Sequence, residues 1–133
     1  MASDKAVASL TILPSEARQD AFSQEFVNDQ FRGGDFFIRQ TGGASTASFV
    51  SVKLQGKVPG STEWYTVATV APATSTAFTK RLRVYPGAST ALNSTGLDPT
   101  VQNDFLPGIW RIASTNVGTT GTVTWACSAH LFA

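Results

Sequence analysis

The chain has 133 residues, of which 14% are charged and 42% hydrophobic, with a net charge of +1, one cysteine and one histidine. That length suits one domain with a core of its own. The single Cys127 excludes an internal disulfide, and the single His130 excludes a multi-histidine metal site. A near-neutral chain has no global field to draw in a polyanion, and no apolar run approaches the ~20 residues needed to span a bilayer.

Charge is unevenly placed. Residues 1–35 hold six acids against three bases, a balance of −3, and residues 36–133 hold seven bases against three acids, a balance of +4. Such asymmetry marks a segment suited to packing on a neighbour. The charged fraction is low against the roughly one quarter of an average domain. Ser, Thr, Gly and Ala fill the difference, and short runs rich in Val, Thr, Phe and Trp are punctuated by Gly, Pro and Asn. That pattern predicts an all-β chain.

In chain order, residues 1–30 are expected as an N-terminal arm, in which "LTIL" offers an edge strand ended by Pro14. In "SEARQDAFSQEFVNDQ" Phe22 and Phe26 fit either period, and a strand or irregular path is preferred to a helix. The body, 31–133, opens with a turn at Gly33-Gly34, a strand from Phe36 to Gln40 and a loop at Gly42-Gly43. "SFVSVKLQG" alternates, with Val50, Val52 and Leu54 inward. A turn at Pro59-Gly60 leads to a strand carrying Trp64 and Tyr65. "TKRLRVYPG" places Leu82 and Val84 on one face and Arg81, Arg83 and Tyr85 on the other. Residues 86–107 read as one long loop. "GIWRIAST" sets Trp110 and Ile112 against Ile109 and Arg111, and the closing strand directs Val123, Trp125, Cys127, Ala129 and Leu131 inward. About seven strands in two face-to-face antiparallel sheets, a β-sandwich with an extended arm, is the expected fold.

The inventory for chemistry is thin, and no enzyme, metal or cofactor is expected. Cys127 and His130 differ by three positions, so a strand sends them to opposite faces and forbids a Cys-His dyad. Asp98 and Asp104 lack the dense oxygen-ligand spacing of a calcium loop, and the Gly-Gly pairs precede no phosphate-binding helix. Arg81, Arg83 and Tyr85 could track nucleic acid, but the chain lacks the broad basic surplus of such binders. Of Trp64 and Tyr65 only one can face inward, which leaves the other as the one platform for a sugar ring.

Three stretches in order, "VSVKLQGKVPGSTEWYTVAT", "LRVYPG" and "NDFLPGIWRI", with "TVTWACSAHLF" as a closing strand, resemble a group of small β-sandwich virion structural proteins of tailed bacteriophages. The shared series is a strand ending near "QG", a Pro-Gly turn, an aromatic-Tyr-Thr strand, "LxVYPG", a long loop and "LPxxWR", and it spans residues 17–133. The resemblance implies a capsid decoration or cement protein on the outer capsid surface, assembled in the host cytoplasm. Its partners would be the major capsid protein and copies of itself in a dimer or trimer, with no membrane or nucleic acid. A tail or head-to-tail component and a carbohydrate-binding module are the alternatives. On this reading Arg81, Arg83 and Tyr85 meet carboxylates on the capsid or on a neighbour's arm, where Glu16, Asp20, Glu25 and Asp29 lie beside Phe22 and Phe26.

Overall fold

A computed structural model describes residues 7–43, 48–70, 77–88, 100–119 and 121–133, and these contain strands and no helix. The strands are β1 (Val7–Arg18), β2 (Ala21–Phe22), β3 (Phe26–Val27), β4 (Gly33–Gly43), β5 (Phe49–Lys57), β6 (Trp64–Val70), β7 (Phe78–Val84), β8 (Thr100–Gln102), β9 (Ile109–Val117) and β10 (Val123–Phe132). They form two five-stranded sheets. The first runs β1-β10-β4-β7-β8, and the second runs β2-β9-β5-β6, with β3 also on β9. Every pairing is antiparallel except that of β7 with β8, which is parallel.

Strand alternation builds the core between the sheets. Val50, Val52 and Leu54 of β5 face Phe36 and Ile38 of β4, Leu82 and Val84 of β7, and the Val123, Trp125, Cys127, Ala129 and Leu131 face of β10. Phe26 stacks on Trp110 with centroids 4.4 Å apart, and Phe36 meets the same indole edge-on at 5.5 Å. Each such pair adds about 0.5–1.5 kcal/mol beyond its buried area. Gln40 is the polar tie between the sheets: its Nε2 donates to the Ser48 carbonyl at 2.8 Å and its Oε1 accepts from the Val50 N–H at 2.9 Å. The expected turn at Pro59-Gly60 is present, and a matching turn at Pro86-Gly87 opens the segment read as a long loop. Val58 and Tyr85 accept from Ser61 and Ala88 across four-residue turns whose third residues, Gly60 and Gly87, have φ of 72° and 84°. Proline second and a left-handed glycine third is the type II arrangement.

Four expectations need correction. The strands number ten rather than about seven, because β2, β3 and β8 are only two or three residues long and owe their existence to long-range pairing with β9 and β7. The segment 7–27 is woven into both sheets rather than standing apart as an arm. Along β1 it pairs with β10 and contributes Ile12 to the core, and then β2 and β3 cross to β9. Pro14 does not end the edge strand, which continues to Arg18 through register shifts at Thr11/Leu13 and Leu13/Glu16. Proline is tolerated there because an edge strand can bulge around its missing N–H. The last correction concerns Gly33-Gly34 and Gly42-Gly43, which are strand residues at the two ends of β4. A Cβ on Gly33 would collide with the Val84 carbonyl oxygen and one on Gly34 would sit 2.7 Å from that of His130, so close backbone approach, not turning, requires glycine. The expected long loop at 86–107 contains β8, and its residues 89–99 lie outside the described residues.

Candidate interaction surfaces

On the outer face of the first sheet, register aligns Arg83 of β7 with Asp35 of β4, and Asp35 with His130 of β10. Arg83 donates to Asp35 through Nε at 2.8 Å and Nη2 at 2.9 Å, a side-on bidentate pair. The hydrogen bonds that Arg83 donates to Asp35 raise its pKa above the ordinary value, against a smaller opposing effect of burial. Arg81, opposite Phe37, has a buried Nε with no hydrogen-bond partner. Tyr85 packs edge-on against Phe132, with centroids 6.4 Å apart, and donates to the Ala133 carbonyl at 3.2 Å. A groove of about 370 Å³ runs past Arg83, Tyr85, Pro86 and Phe132. The outward stripe expected of Arg81, Arg83 and Tyr85 is thus part-buried, and one of its two cations is already engaged within the chain.

The acids expected to meet that stripe lie elsewhere. Glu16 pairs with Arg18 at 3.4 Å, Asp20 Oδ1 accepts from the Asn116 N–H at 2.8 Å, Glu25 pairs with Lys57 at 3.6 Å, and Asp29 is exposed. Among the described residues none of them touches Arg81 or Arg83 of the same chain. The two phenylalanines also part company. Phe26 joins the core stack, while Phe22 stands 63% exposed on the outer face of the second sheet.

That second outer face holds a constellation the sequence reading missed. Arg111 of β9 lies with its guanidinium carbon 4.0 Å from the Phe22 ring centroid and 4.1 Å from that of Trp64. One cation therefore contacts two aromatic rings, brought from β2 and β6. Its Nε donates to Gln55 Oε1 at 2.9 Å, across the register pair of β5 and β9. Phe22 is held in place by an irregularity between β2 and β3. There the Ser23 N–H donates to the Ile112 carbonyl at 2.8 Å, and the Ser23 hydroxyl oxygen accepts from the Ile112 N–H at 2.9 Å, in place of a backbone carbonyl. Further along β9, Val27 is 80% exposed opposite Ile109. The outward parity of Arg111 was visible in "GIWRI", but nothing local pointed to Phe22 or Trp64 as its neighbours.

Trp64 does not offer a bare ring, because Lys57 Nζ lies 5.8 Å from its centroid in addition to Arg111. Tyr65 is 44% exposed and covers Gly56, where an added Cβ would lie 2.6 Å from its ring. On β10, Cys127 is buried, with its thiol pushed up to about 12 by desolvation, and His130 is exposed on the opposite face. Among the described residues no three His, Cys, Asp or Glu side chains group as a metal site, and no helix is long and apolar enough to cross a membrane. Comparison with protein-family models, curated proteins and solved structures returns no match.

Proposed function

We propose that the chain is a non-enzymatic virion structural protein, a decoration or cement protein that binds the outer capsid surface through protein–protein contacts. The two packed sheets are read as a β-sandwich whose broad outer face is the docking surface. The observation that carries this reading is the exposed set Phe22, Val27 and the ring-contacting Arg111 on one sheet face. Aromatic residues and arginine are the side chains enriched at protein interfaces and at their energetic centres. A surface held by strand ladders is also ordered before it binds, so less freedom is lost on association.

The ordered motif series that resembles tailed-phage virion proteins supplies the setting, with assembly in the host cytoplasm and residence on the virion. Contacts between copies would close a dimer or trimer about a symmetry axis. Simultaneous engagement of several capsid subunits would then multiply affinity without a strong single contact. The test is co-sedimentation of the protein with purified capsids that lack it. Saturable binding at a fixed copy number, with a shell that withstands higher temperature, is the expected result. Binding to isolated tails and not to capsids would move the protein to the tail, and binding to neither would sink the virion reading.

A further inference from the structure

We infer that Arg111 is a preformed receptor for a carboxylate, and that the Phe22–Arg111–Trp64 cluster docks an acidic side chain of a partner protein. The inference deepens the decoration reading, which supplies the partner; the chemistry of the site stands on the geometry. The guanidinium carbon lies 4.0 Å from the Phe22 ring centroid and 4.1 Å from that of Trp64, and Nε is committed to Gln55. Among the described residues the two terminal nitrogens have no acceptor, and neither is buried. What remains open is the planar edge of the fork, whose parallel N–H groups match the two oxygens of a carboxylate. Because the rings and Gln55 already restrict the side chain, a ligand meets a fork held in one orientation.

The surroundings favour an anion on an apolar carrier. Lys53 and Lys57 share the outward parity of Gln55 on β5, and among the described residues the one ion pair of these two lysines is that of Lys57 with Glu25. Phe22 beside the fork, and Val27 opposite Ile109 two residues along β9, add exposed apolar surface, which suits a protein chain better than a sugar or a phosphate backbone. Sugar stacking is disfavoured further because cations already lie over the Trp64 ring.

The experiment follows the Arg111 Nε–Hε resonance of the full chain during titration with two synthetic peptides. One carries Glu between leucines, and the other has Gln in its place. The Glu peptide should move the Arg111 resonance and the Gln peptide should not, and Arg111→Lys should weaken binding of the Glu peptide by about tenfold, since an ammonium lacks the fork. No response, an equal response to both peptides, or a stronger response to a single-stranded oligonucleotide overturns the inference. A second arm uses capsids lacking the protein, with and without amidation of their surface carboxylates. Amidation should lower wild-type occupancy to that of Arg111→Lys and leave the variant unchanged, whereas equal loss in both overturns the role of Arg111. Wild type that ignores untreated capsids defeats the decoration reading instead, and the peptide arm still decides the site.

Discussion

Arg83 and Asp35 form one pair, but their side chains differ in access to water, at 33% and 7% exposed. Removing Arg83 strands a carboxylate that cannot reach solvent, whereas removing Asp35 leaves a guanidinium that can. Arg83→Ala is therefore expected to cost about 2 kcal/mol and Asp35→Ala about 1 kcal/mol, after allowance for screening of the exposed partner. Urea unfolding of the two variants checks the order, and equal or reversed costs would refute it. The same asymmetry bears on function, because Arg83→Ala would lower stability together with any contact. Arg81→Ala is the cleaner probe of the first sheet's outer face. At Cys127 burial holds the thiol protonated up to about 12 in the folded chain, and the nearby Arg18 only partly offsets this. An unfolded thiol ionises near about 8.5. Above that pH the unfolded state has released a proton that the folded state still holds, so the contribution of Cys127 is complete below about 8.5 and declines as pH rises toward 12. The stability difference between wild type and Cys127→Ala should narrow between about pH 9 and pH 11. A gap that stays constant over that range would contradict the expectation.

At the scale of elements, the sheet edges restrict how copies can meet. β1 is bent by Pro14 and two register shifts, and β6 carries Val67 as an extra residue where its pairing with β5 slips between Leu54 and Gln55. β2 and β3 are broken from one another at Ser23–Glu25, and β8 is three residues long. Short, bulged or proline-bearing edges resist strand-to-strand addition, which on the proposed reading leaves contacts with other chains to the sheet faces. Much of this architecture is legible in the residues themselves, because a period of two is visible wherever a strand is long. Val50, Val52 and Leu54, and the alternating inward set of β10, lie where alternation places them. Two-residue strands leave no such trace, and neither does a proline absorbed by a bulge. Gly33-Gly34 misleads for a different reason: glycine serves close backbone approach as well as turns, and only the neighbouring Val84 and His130 carbonyls reveal which. The candidate site was less legible still. Trp64 could be singled out as an aromatic of interest, but its partner Arg111 arrives from β9 and the second ring, Phe22, from β2.

For the molecule as a whole, the strand order has a temporal meaning. β10, the last of the described strands, lies between β1 and β4 and is the neighbour of both. A chain emerging from a ribosome presents β1 and β4 long before the strand that joins them exists, and the Trp125 and Leu131 side of the core is missing until then. Pairings so distant in sequence form slowly, because a large loop must close before any contact compensates for it. The first sheet therefore cannot close before β10 is available to join β1 and β4. A nascent chain arrested before Val123 should remain open to protease, and the same chain carried through Phe132 and clear of the exit tunnel should resist it. Protection of the shorter chain would show that β1 and β4 find another arrangement first. On the proposed decoration reading, such timing makes the appearance of binding-competent subunits abrupt: each becomes able to dock only once β10 has joined β1 and β4.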